Sequence, residues 1–257
     1  MGEKYRIRWP SRLWLVRHGQ SAGNVARDAA QLSGALQIEL NLRDVDVPLS
    51  PMGEQQADAL GRWFTHHRVR PDVILCSPYL RARQTAERFR AAGGTAPETT
   101  ICADERLREK EFGILDGLTT AGVAAIVPQQ AEFRRLLGKF YHRPPGGESW
   151  CDVILRLRSL LDTVSLHHAG RPVMIVAHQV VVLCMRYILE GLSEEEILSI
   201  DKEGDVANCA VTEYQPDVSD AHDRGLQLVR YNVTAPVEED PVAEVTRAPD
   251  AMVAARG

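Results

Sequence analysis

An α/β fold, arranged as a three-layer α/β/α sandwich around a largely parallel central sheet, is what the residue pattern of this chain predicts. Three observations carry the prediction. Residues 12–17 (RLWLVR), 72–76 (DVILC) and 172–177 (PVMIVA) are short apolar runs of strand length, as expected of strands buried on both faces. Segments with helical periodicity lie between them and after them. Each run also ends in a polar cluster, as a strand does when it feeds a loop at the edge of the sheet.

The elements follow in order. Residues 12–17 are predicted to form the first strand. Residues 51–67 place Ala57, Leu60, Trp63 and Phe64 on one helical face behind a Ser50-Pro51 start, a pair that caps and opens helices. Residues 72–76 form the second strand, and residues 79–92 a helix closed by Gly93-Gly94. Residues 149–168 keep helical spacing until Gly170-Arg171-Pro172 breaks it. The third strand, 172–177, leads into a helix over 180–189, and residues 206–214 and 226–233 read as later strands. Residues 25–46 are longer than a simple strand-to-helix link needs and are expected to form a lid or cap segment. From residue 235 onward come three prolines and five acids against two arginines. That stretch, 235–257, is expected to be an acidic tail without a packed fold, leaving residues 1–234 as one domain.

Composition removes several classes of function. The 257 residues carry 30 basic and 35 acidic side chains, a formal net charge of −5, so a broadly basic nucleic-acid binder is excluded. All but four of the basic residues are arginine (the lysines are Lys4, Lys110, Lys139 and Lys202), and composition bias accounts for most of that excess. The longest apolar stretch, 173–185, is interrupted by His178 and Gln179 and is too short to span a membrane. The first residues lack the apolar core and cleavage site of a secretory leader. Cys76, Cys102, Cys151, Cys184 and Cys209 form no CxxC pair and read as buried free thiols of a reducing, cytoplasmic compartment. No His or Asp/Glu pair has metal-ligand spacing, so neither a metal nor a cofactor is implied. Nothing in the sequence specifies an oligomeric state.

Chemistry concentrates at three strand ends. The first strand ends in Arg17-His18-Gly19, the second in Ser77-Pro78 with Arg81 following, and the third in Ala177-His178-Gln179. Ligands of open parallel sheets bind beyond the carboxyl ends of the strands. Two histidines and two arginines should therefore converge on one pocket. Phosphoryl transfer suits such a set: a neutral His18 attacks phosphorus while guanidinium forks hold the phosphate oxygens and oppose histidine protonation.

The wording around these residues resembles the histidine phosphatase, or phosphoglycerate mutase-like, superfamily. The Leu15-Val16-Arg17-His18-Gly19-Gln20-Ser21 run with Asn24 matches its signature, with Gln20 where the family usually has an acid. Residues 46–57, Ser77-Pro78 through Arg81 and Gln84-Thr85-Ala86, REKEFGILDG around Glu109, and Gly146-Gly147-Glu148-Ser149 follow in the family's order. The resemblance implies a phosphoglycerate mutase-like fold, with His18 the phosphorylated nucleophile and Arg17, Arg81 and His178 binding the transferring phosphoryl group. It also implies a hydrogen bond from Asn24 near the phosphate and Glu109 as the general acid for the leaving oxygen. Glu111, the nearby competitor, reads as a solvated loop acid.

Two branches compete. A mutase should carry a long insertion after the general acid, and residues 113–148 are short. The local wording is closer to the fructose-2,6-bisphosphatase domain: Arg135, Lys139 and Arg143 precede the Gly-Glu-Ser run, and His178-Gln179 matches its His-Gln. Arg135, Lys139 and Gln179 are accordingly expected to contact an anionic substrate, although Arg135 and Lys139 also fit a solvated helix face. The expectation is a metal-independent phosphomonoesterase acting on a small phosphorylated molecule, possessing neither a nucleic-acid nor a membrane partner. A bisphosphoglycerate-dependent mutase and a non-catalytic phospholigand-binding module are the alternatives.

Overall fold

The computed structural model describes residues 8–217 and 225–247. Its six strands are β1 (Arg12–Arg17), β2 (Val73–Cys76), β3 (Ile101–Ala103), β4 (Pro172–Ala177), β5 (Val211–Pro216) and β6 (Leu226–Val233). They form one sheet in the order β3-β2-β4-β1-β5-β6. The first four in that order run parallel, while β5 is antiparallel to β1 and β6 to β5. Leu13 lies opposite Val173, and Leu15 opposite Ile175, which in turn meets Leu75.

Strand periodicity divides the apolar side chains between two faces. Leu13, Leu15, Val73, Leu75, Val173 and Ile175 enter one core. Helices α6 (Trp150–His167), α7 (Gln179–Glu190) and α8 (Glu194–Glu203) cover it. Trp14, Val16, Ile74, Cys76, Met174 and Val176 enter the other, beneath α2 (Pro51–His66) and α3 (Leu80–Ala91). In that second core Trp14, Phe64 and Phe89 meet edge to face at 5.3 and 5.2 Å, contacts worth roughly 0.5–1.5 kcal/mol each beyond area burial. The expected three-layer α/β/α sandwich is what the chain adopts.

Three features depart from the sequence expectations. Within residues 25–46, the first part continues a helix, α1 (Ala22–Ser33), that begins in a reciprocal cap between Ser21 and Asn24 and stops at Gly34, whose φ is +69°. The rest runs extended, bridging Gln37 to Leu118, and ends in a 3₁₀ turn at Asp44–Asp46. Strand β5 starts at Val211 rather than 206, because residues 206–210 cross the end of the sheet and Cys209 adopts φ +54°. Third, residues 235–247 are packed. Here α9 (Ala235–Glu238) lies on α2 with Val237 fully buried, and Asp240 pairs with Arg62 at 2.6 Å. Net charge and proline content mislead there because alternating apolar residues, Val237, Ala243 and Val245, find a partner surface. Residues 248–257 of the expected tail lie outside the described residues. Of the five thiols, Cys76, Cys184 and Cys209 are buried, but Cys102 and Cys151 are exposed, contrary to expectation.

Candidate active site

Backbone contacts fix the loop after β1. His18 N–H donates to the Ala177 carbonyl (2.9 Å), which continues the β1–β4 ladder by one residue. Gly19 is required by close approach, since a Cβ there would lie 2.4 Å from the Gly53 carbonyl oxygen, and one at Gly53 would lie 1.9 Å from that of Gln20. The start of α2 therefore packs flat against this loop. Ser50 caps α2 by accepting from Gly53 N–H, and its own N–H donates to Gln20 O at 2.8 Å. The Ser50-Pro51-Met52-Gly53 helix start thus also shapes the loop.

His18 is fully buried. Its Nδ1 lies 2.6 Å from the Gly19 carbonyl oxygen, which can only accept. In the neutral ring Nδ1 therefore carries the proton and Nε2 the lone pair. The His178 ring, at the start of α7, stands edge-on to His18 with centroids 5.1 Å apart. Its Nε2 is 2.8 Å from Ser77 Oγ, at the end of β2. Tyr79 stands edge-on to His178 at 5.2 Å, and the Arg81 guanidinium lies 4.9 Å above the Tyr79 ring. Arg17, fully buried, donates through Nη1 to the Val206 carbonyl at 2.5 Å. The two histidines and the line through Tyr79 to Arg81 thus gather at the carboxyl ends of β1, β2 and β4.

The remaining expected site residues divide. Glu109, 2 % exposed, lies near Cys184 on α7, whose thiol is pushed well above its ordinary value by burial first and by the Glu109 charge second. The loop carrying Glu109 is held by Arg156, which donates to Arg106 O at 2.6 Å and Glu109 O at 3.2 Å while forking onto Glu148. Asn24 accepts from Ser21 N–H through Oδ1 at 2.8 Å, as part of the α1 cap. Gln179 donates to Asp205 at 2.8 Å. Lys139 pairs with Asp201 of α8 and sits 5.6 Å over the Trp150 ring.

Arg135 is not in the site. On α5 (Pro128–Tyr141), its side chain is 69 % exposed and paired with Glu132 one turn away. The inward residue is its neighbour Arg134, about 100° round the helix. Arg134 acts electrostatically on Lys110, His142 and Lys139. Glu111, expected as a free loop acid, accepts from the Tyr79 hydroxyl at 3.0 Å.

Sequence reasoning missed Lys110, Arg134, Asp44 and the Glu148–Arg156 brace. Lys110, 6 % exposed, is pushed down to about 8 by burial first and Arg134 second, and its ammonium lies 4.4 Å from the centre of the Phe112 ring. Being one of only four lysines was its available signal. Asp44 brings its carboxylate 3.0 Å from Arg81 Nη1, while its backbone carbonyl accepts from the same atom at 2.6 Å. Among the described residues no group of three or more His, Cys, Asp or Glu side chains is placed to hold a metal ion, and no helix is long and apolar enough to cross a membrane.

The fold is shared with a class of α/β enzymes that act on phosphate esters. The chain belongs to the histidine phosphatase superfamily, branch 1, whose family model matches residues 13–234. It is 31 % identical over 176 residues to a 6-phosphofructo-2-kinase/fructose-2,6-bisphosphatase of Caenorhabditis elegans, covering 68 % of this chain but only 33 % of that relative. It is also 31 % identical over 195 residues to a 2,3-bisphosphoglycerate-dependent phosphoglycerate mutase of Gloeobacter violaceus, covering 74 % of this chain and 81 % of the other. Among solved structures, a mycobacterial glucosyl-3-phosphoglycerate phosphatase superposes with a TM-score of 0.65 at 26 % identity, over 88 % of this chain and 100 % of that one.

Proposed function

We propose that the chain is a metal-independent phosphomonoester hydrolase working through phospho-His18. The observation that carries this reading is the 2.6 Å contact of His18 Nδ1 with Gly19 O, which leaves the lone pair of the neutral ring on Nε2. Nε2 attacks phosphorus, an N–P bond forms, and the ester P–O bond breaks. Glu109 gives its proton to the departing alkoxide, then as carboxylate takes one from the water that attacks phospho-His18. Inorganic phosphate leaves and His18 is restored. Arg17, Arg81 and His178 hold the phosphoryl oxygens during both transfers, with Asn24 and Gln179 at the edge of that group.

The substrate is a small ester with a second anionic group, a sugar phosphate or a phosphorylated acid. Lys110, which feels both the Glu109 carboxylate and the Arg134 charge, supports this, as do the phosphorylated sugars and acids in the relatives' names. The same two cations also suit a mutase, which must hold a second acidic group while the phosphoryl group moves. Gln20, in place of the family's acid, is the remaining argument for a module that binds without turning over.

The test is turnover of 4-nitrophenyl phosphate and of alkyl phosphates in EDTA. Wild type should release phosphate and form an acid-labile phosphoprotein, and His18→Ala should do neither. Glu109→Gln should lose roughly 10²–10⁴-fold on alkyl esters but far less on 4-nitrophenyl phosphate, whose leaving group needs no proton. Activity in His18→Ala, or inhibition by EDTA, overturns the hydrolase reading. Isomerisation that outpaces release replaces it with the mutase.

A further inference from the structure

We propose that residues 240–247, which lie beyond the segment shared with the family, form a strap that sets the His18 loop, with Thr246 as its positioning residue. The proposal rests on His18 being the reacting group.

Two fully buried carboxamides support that loop on either side of Gly19. Asn208 Nδ2 donates to His18 O at 2.9 Å, and Gln56 Oε1 accepts from Gln20 N–H at 2.8 Å. Each carboxamide is held at its other end by the strap. Thr246 Oγ1 donates to Asn208 Oδ1 at 2.9 Å and accepts from Gln56 Nε2 at 2.8 Å. Gln56 Nε2 also donates to Glu244 O at 2.7 Å, and Asn208 N–H donates to Thr246 O at 2.9 Å.

A hydroxyl is suited to this position because it donates and accepts at once. Asn208 must turn its NH₂ toward His18 O, so its oxygen needs a donor behind it. Gln56 must turn its oxygen toward Gln20 N–H, so its NH₂ needs an acceptor. Thr246 meets both needs with one atom. Flipping either amide would oppose like groups in a buried site, which is costly. Arg62–Asp240, Val237 and Val245 anchor the strap on α2 and its core. The strap thus orients the carbonyl and amide on both sides of the residue that accepts from His18 Nδ1.

The test compares Thr246→Val, which keeps the shape and removes the hydroxyl, with Thr246→Ser, which restores it, in the full chain. With 4-nitrophenyl phosphate, Thr246→Val should lower kcat at least fivefold with KM within twofold of wild type, and Thr246→Ser should recover kcat. Amide exchange at Gln20, followed by NMR, should quicken at least tenfold in Thr246→Val alone, a readout that needs no turnover. Wild-type kcat and wild-type Gln20 exchange in Thr246→Val overturn the strap. So does failure of serine to rescue. A wild type without turnover defeats the phospho-His18 reading instead, and faster Gln20 exchange in the variant would still uphold the loop contact.

Discussion

Replacing Lys110 by methionine should stabilise the free protein while impairing its use of doubly anionic substrates. The ammonium is 6 % exposed and its pKa falls from the ordinary 10.5 to about 8, by burial first and Arg134 second. At about 1.4 kcal/mol per tenfold change in proton affinity, the buried charge costs roughly 3 kcal/mol at neutral pH. The cation–π contact with Phe112 at 4.4 Å returns about 1 kcal/mol of that. Methionine fills the same volume without the charge, so Lys110→Met should gain about 2 kcal/mol. For a chain of this size that raises Tm by roughly 4–8 °C. The sign with pH follows from linkage. Below pH 8 the lysine is protonated folded and unfolded, and the full cost is present. Between pH 8 and 10.5 the folded state has lost the proton that the unfolded state keeps, so wild-type stability rises with pH and the gain from Lys110→Met shrinks. Urea unfolding at pH 7 and pH 9.5 checks it: the advantage should fall by well over 1 kcal/mol. A variant less stable than wild type at pH 7, or an advantage independent of pH, would refute the reasoning.

Three further substitutions test the same geometry. Arg134→Ala should raise KM for a phosphorylated acid several-fold while leaving 4-nitrophenyl phosphate nearly unchanged. Arg135→Ala, which only removes an exposed pair with Glu132, should alter neither in steady-state assays. Asp44 lies against the Arg81 guanidinium at 3.0 Å, where its charge competes with a phosphate oxygen. Asp44→Asn should therefore tighten inhibition by inorganic phosphate roughly fivefold, about 1 kcal/mol of repulsion at high effective dielectric. Weaker inhibition would mean that Asp44 orients Arg81 instead.

The layers were legible because burial on both faces leaves a plain mark: β1 and β4 were readable to their terminal residues from apolar runs and turn punctuation. What escaped was local structure whose determinants are weak in sequence. β3 is three residues long and largely exposed, too short for alternation to register. α1 is capped by Ser21 with asparagine three residues on, not the glutamate or glutamine of the usual capping box, and so went unrecognised as a helix at the start of the expected lid or cap segment. The packing of residues 235–247 depends on a groove beside α2 that only the folded chain creates.

The candidate site was legible to a different depth at each layer. Groups at strand ends converge in a parallel sheet, so the meeting of His18 and His178 followed from topology alone. Arg135 failed because motif spacing fixes a position along a helix only to within a residue, whereas one residue turns a side chain about 100°. Gly138, at φ +77° inside α5, adds a kink that no periodic template contains. The supporting groups were beyond reach for a firmer reason. Gln56, Asn208 and Thr246 are far apart in the chain and individually ordinary. Their significance lies in the sense of two amide groups, a property of the assembled network rather than of any residue. The loop bearing His18 is therefore held by contacts whose identity the sequence conceals, and a substitution at Thr246 should reveal them in kcat before it does in Tm.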